Sequence, residues 1–145
     1  MRAPQELWVP FQKAWLPDTN KALEMWHGYA YSMGRAAARG QRVFNTNLFN
    51  EHARVVRCCV RIAARAAAIA PLDVCDLSFE WRGFDLWDAD AGYLPGKWVT
   101  DGLRDAHVLR NDRRAIRFIQ HRVIREWPRD AGLLLRIREV TDAVV

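Results

Sequence analysis

Arginines at positions 54, 57, 61 and 65 advance in steps of three and four, and that spacing predicts an α-helix over 47–69 with one basic stripe. Val55, Val56, Cys59, Ile62, Ala63 and Ala66 supply an apolar surface elsewhere on the same helix. Asn47 or Asn50 suits the cap, and Glu51 suits the positive end of the helix dipole. Pro71 closes the segment. The stripe reads either as a solvated face or as a phosphate-contacting one.

Beyond Pro71 the period changes to two. Residues 72–81 (LDVCDLSFEW) predict a strand that buries Val74, Leu77 and Phe79, with a bulge at Asp76 resetting the alternation. Residues 96–106 predict a second helix on Val99, Leu103 and Ala106. Ile116, Phe118 and Val123 suggest a strand over 114–125, with a helix as the alternative. Residues 133–140 (LLLRIREV) alternate clearly, and Trp127 to Gly132 supply a turn, so the two segments read as a hairpin. Upstream, Leu7 to Phe11 with Pro10 fits an edge strand, residues 15–21 are turn-rich, and residues 22–41 read as irregular or partly helical. The order strand, helix, strand, helix, strand, strand implies an α/β fold: a small mixed sheet with flanking helices, in a single domain over 1–145.

Composition narrows the class of function. No apolar run approaches the roughly 20 residues that span a membrane, and the start lacks a secretory layout, so a cytoplasmic chain is expected. Cys58, Cys59 and Cys75 show no zinc spacing and read as structural or incidental. The net charge is +5, and of the 22 basic residues only Lys13, Lys21 and Lys97 are lysines. Arginine forks onto phosphates, so the bias fits a polyanionic partner, although a GC-rich genome also favours arginine codons. His27, His52, His107 and His121 are scattered, with no phosphate loop and no nucleophile elbow to accompany them.

The acids concentrate between Phe84 and Asp112. Asp88-Ala89-Asp90 is a D-x-D pair, and in extended chain its two carboxylates share one side. Such a pair is either a solvated loop or a hard-oxygen site for Mg²⁺. Asp112 is placed to serve as a third carboxylate, and Lys97 is either a surface lysine or a partner for a scissile phosphate. Six arginines surround Asp112 within residues 110–125, either an exposed face or a cationic rim that holds a DNA backbone.

These residues resemble the core of the RusA-type Holliday-junction resolvases. The resemblance rests on Asp88-Ala89-Asp90, on Lys97 followed four residues later by Asp101-Gly102-Leu103, and on Val108-Leu109-Arg110-Asn111-Asp112. Ala91 stands where the family usually has Asn, and Asn111 where it often has Asp. The resemblance implies a RusA-like homodimeric endonuclease, common in phages and prophages, that needs Mg²⁺ (or Mn²⁺) and cuts four-way or other branched DNA at paired sites. It implies Asp88, Asp90 and Asp112 as metal ligands, Lys97 as the catalytic cation, and Arg82, Arg110, Arg113 and Arg114 as DNA contacts. The alternative is a branched-DNA-binding protein of the same fold with little or no catalysis.

Overall fold

The computed structural model describes residues 3–11, 16–23, 44–110, 114–125 and 127–141, with backbone only at 44–47. Six elements follow in the expected order: β1 (Gln5–Pro10), α1 (Phe44–Ala66), β2 (Cys75–Arg82), α2 (Tyr93–Asp105), β3 (Ile116–Ile124) and β4 (Gly132–Glu139). The four strands form one mixed sheet in the order β1-β4-β2-β3. β1 takes an edge, where the missing N–H of Pro10 costs no ladder bond. Its pairing with β4 joins the two ends of the chain.

β4 runs antiparallel to β2, while β3 runs parallel to β2 on its other side. The expected β3–β4 hairpin is therefore not formed. β2 lies between the two strands. Local turn chemistry was a poor guide because both strands pair with β2, through contacts distant in the chain. A parallel pair requires a crossover, and α2 provides it between β2 and β3. The register between β2 and β3 shifts at Cys75/Asp76, where the sequence marks a bulge.

One face of the sheet is the core. Leu7 and Val9, Leu77, Phe79 and Trp81, and Leu133, Leu135 and Ile137 pack there against Val56, Val60, Trp98, Val99 and Leu103 from the helices. α1 buries His52, Val56, Val60 and Ala64, a run at steps of four. That face overlaps the one expected only in part: Val56 is in the core and Cys59 and Ala63 pack against it, but Ile62 and Ala66 are exposed, and Val60 and Ala64 are buried in their place. The expected caps also fail, since Asn47 and Asn50 both lie inside a helix that begins at Phe44. Phe49 meets the edge of Trp98 at 5.4 Å between ring centres, so tertiary packing holds those first turns. Val74 is half-buried, while Cys75 and Trp81 are fully buried in its place.

α2 begins at Tyr93, three residues before the expected start, for a reason no local pattern carries. Gly92 at its N-cap has no side chain to offer. Thr19, far upstream, accepts the Leu94 N–H at 3.0 Å and donates its hydroxyl to the Ala91 carbonyl at 2.6 Å. A threonine from another segment thus caps the helix, and Pro95 falls in the first turn, where its missing donor is harmless.

Candidate functional site

The D-x-D pair follows the carboxyl end of β2. Trp87 packs on Trp81 at 5.2 Å between ring centres and on Phe84 at 4.4 Å, anchoring the chain just ahead of Asp88. Both acids are exposed. The pair is not extended: Ala91 N–H bonds the Asp88 carbonyl at 3.0 Å and Tyr93 N–H bonds the Asp90 carbonyl at 3.4 Å, so residues 88–92 are turns. The strand rule that puts residues two apart on one side does not apply here, and the convergence expected on that ground is withdrawn. The turn leads straight into α2.

Lys97 sits in the second turn of α2 rather than at its start, with its side chain exposed. It lies 3.6 Å from Asp101, which also pairs with Arg104 at 3.0 Å. These cations border a cleft of about 540 Å³ between α2 and β3, together with Thr100, Arg117, Tyr93 and His121. Its floor is aromatic, since His121 stacks on Phe79 at 4.5 Å between ring centres. The cleft is rich in positive groups, which suits an anion.

His121, which belongs to no sequence motif, lines this cleft. Trp81 donates its indole N–H to His121 Nδ1 at 3.1 Å. An indole can only donate, so Nδ1 is the acceptor and the ring proton resides on Nε2. Burial lowers the His121 pKa from 6.5 to about 4. The folded value lies below the unfolded one, so protons favour the unfolded chain as pH falls. Stability contributed by the neutral ring is present above about pH 6.5 and is lost towards about pH 4. In His121→Gln the urea midpoint should vary less between those two limits than in the parent chain. An equal slope in both proteins excludes His121 as the titrating group.

The other predicted residues lie elsewhere. Asp112 and Arg113 fall outside the described residues. The described chain on either side of them is fixed at the amino end of β2: Leu109 bridges Leu72, Arg110 N–H bonds the Leu72 carbonyl at 3.0 Å, and Cys75 N–H bonds the Ala115 carbonyl at 2.7 Å. The D-x-D turn stands beyond the other end of β2, about 20 Å away at the strand rise from Cys75 to Trp81. Arg110 is exposed and 3.6 Å from Asp73, and Arg114 is also exposed at that amino end. Arg82 is on the opposite face of the sheet from the helices. Among the described residues, no three His, Cys, Asp or Glu are grouped to hold a metal ion. Asp88 and Asp90 offer hard oxygen donors of the kind Mg²⁺ takes.

The basic stripe of α1 is mostly engaged within the protein. Arg54 pairs with Glu51 at 2.6 Å, and Arg57 grips Asp105 of α2 with two bonds of 2.9 Å. Arg57 holds the Asp105 carboxyl below the usual carboxylate range. Arg57 thus ties the two helices together on an exposed surface, while Arg54 pairs within α1. Of the cysteines, Cys75 is buried, and burial raises its thiol to about 11, so it is no nucleophile. No helix among the described residues is long and apolar enough to cross a membrane. No protein-family model matches the chain, and no curated protein matches it.

Proposed function

We propose that this chain is a divalent-metal-dependent endonuclease selective for branched DNA, above all four-way junctions, acting as a RusA-type homodimer. The observation that carries the reading is the run along α2. The D-x-D turn feeds directly into a helix whose second turn presents Lys97 at the mouth of a cationic cleft. In this reading Asp88, Asp90 and Asp112 hold Mg²⁺ (or Mn²⁺), which would supply an activated water. Lys97 offsets charge developing on the phosphate, and Arg82, Arg110, Arg113 and Arg114 grip the backbone.

The distance between the two ends of β2 gives the dimer a specific task. β3 is an outer strand, with Phe118 and Ile119 exposed along it. Antiparallel pairing of β3 with a second copy about Gln120 sets Ile116 opposite Ile124 and Phe118 opposite Arg122, with no arginine facing another. It also sets the entry of one β3 beside the exit of the other. At that exit Arg125 bonds the carbonyls of Asp85 and Trp87 at 3.0 and 3.1 Å, on the loop that leads to Asp88. The third carboxylate would then serve its partner's site, and the two-fold axis of the dimer would match that of a junction.

A synthetic four-way junction with Mg²⁺ tests the reading. Paired cuts are expected, with none in EDTA and few in Asp90→Asn. Full activity in that variant removes the assignment. A second reading, a branched-DNA-binding protein without catalysis, is favoured by Ala91 and by the separation of the acids within one chain. Tight junction binding without Mg²⁺-dependent products selects it.

A further inference from the structure

We propose that the helix-free face of the sheet is a docking surface for an unpaired DNA strand. The inference rests on the DNA reading above but not on catalysis. Among the described residues no helix lies on this face. Four arginines (82, 122, 136 and 138) share it with three acids, Glu6, Asp76 and Glu80, and Arg117 reaches Asp76 from the edge strand at the bulge. The excess of positive charge is complementary to phosphate.

The arginines are held in place from beneath. Asp76 and Glu80 are only 8% and 6% exposed. Asp76 receives Arg117 in two bonds, at 3.1 and 2.8 Å, and Arg138 at 2.8 Å. Glu80 binds Arg136 and lies 3.5 Å from Arg82, and Arg136 reaches Glu6 at 3.2 Å. A guanidinium has five donors, more than one carboxylate can occupy. Arg138 keeps more than half of its side-chain surface in solvent. The buried acids thus fix outward-facing forks, which lowers the entropy lost when a phosphate binds.

Phosphates alone would suit a duplex as well. The aromatic groups argue for a single strand. Trp8 on β1 and Phe118 on β3 are 39% and 56% exposed, on the two edge strands, with the arginines between them. Three strand spacings across the sheet and four residues along it put them about 19 Å apart. Near Trp8, a second cleft is bordered by Arg82, Trp127, Arg129 and Asp130, with two cations against one acid. There the Arg82 guanidinium lies 4.5 Å above the Trp127 ring. Arg82 Nε and Trp127 Nε1 are buried donors with no hydrogen-bond partner among the described residues. Unmet donors at a cationic cleft call for an acceptor from outside. A polynucleotide strand alternates phosphates with base faces, and only when unpaired does it offer both.

The test uses the full chain in EDTA and a fluorescent oligodeoxythymidine of roughly 20 nucleotides, read by anisotropy against salt. Trp8→Ala should weaken binding about tenfold. Arg138→Gln leaves Arg117 on Asp76, and should weaken binding while cutting the salt slope by about 0.7. Neither residue lies on β3 or among the acids, so the dimer edge and the proposed nuclease site stay intact. A duplex of equal length should bind less tightly and ignore Trp8→Ala. Parent-like oligonucleotide affinity in both variants overturns the inference, even if the parent cuts junctions. So does a loss of sedimenting mass in the variants with affinity unchanged, which would make the occupant a second copy. Weakened oligonucleotide binding in a protein that cuts no junction upholds the surface and removes only the nuclease.

Discussion

Mixed dimers of Asp90→Asn and Asp112→Asn should recover nicking of a four-way junction that neither variant shows alone. Each single variant loses one proposed metal ligand at both sites, and a drop of more than about 100-fold is expected. If each site draws all its acids from one chain, the mixed dimer has two damaged sites and stays inactive. If the third carboxylate crosses the dyad, one site collects both substitutions and the other collects none. Random assortment then restores roughly a quarter of the parent's competent sites. The product should be nicked rather than resolved, because a lone site cuts one strand. The physical ground is the length of β2: its amino end anchors the chain around Asp112, and its carboxyl end releases the chain towards Asp88. Refolding the mixture from denaturant ensures exchange, and the parent carried through the same cycle sets the full scale. No recovery in the mixture, with each variant still dimeric, places the acids in one chain or ends the metal assignment.

The fold was more legible in this sequence than the site. Periods of two and of three to four picked out β2, β4 and both long helices, because each buries one face and the core enforces that period on its residues, while β1 and β3 were legible only from β-prone residues. Asp76 signalled its bulge for the same reason, since a charged residue in an apolar strand interrupts the alternation. What was not legible depends on partners distant in the chain. Thr19 caps α2 across more than 70 residues, and no window around Gly92 contains it. β3 and β4 look like a hairpin locally, and only competition for β2 separates them. The site suffered more. The D-x-D spacing suggested convergence only under an extended backbone, and the turn bonds at Ala91 and Tyr93 remove that condition. His121 had no motif, since its place comes from Phe79 and Trp81 on the neighbouring strand. The arginines of the open sheet face lie on three strands and gather only through the register.

Gly102→Val should be among the most damaging single substitutions in the chain. Gly102 is buried in α2 at the point where the two helices touch. A Cβ placed there would lie 2.7 Å from Val60 Cβ and 2.9 Å from the Arg57 carbonyl oxygen. Both distances are shorter than side-chain contacts tolerate, and one obstacle is backbone, so no rotamer change relieves it. The helices must part, which opens gaps around Val56, Val60 and Leu103, all fully buried. Overpacking of this kind costs about 1–3 kcal/mol, and the loss of neighbouring core contacts adds to it. Removing a mid-helix glycine returns at most about 1 kcal/mol through propensity, less for a β-branched valine, so the sign is not in doubt. Separation also strains the Arg57–Asp105 pair that ties the same two helices. A thermal midpoint lowered by about 5 °C or more is expected, since about 1 kcal/mol shifts a domain of this size by a few degrees. Gly102→Ala should fall between the parent and the valine variant. A valine variant as stable as the parent would mean that α1 and α2 are not in contact at Gly102, and the packing of both helices on the sheet would need to be redrawn.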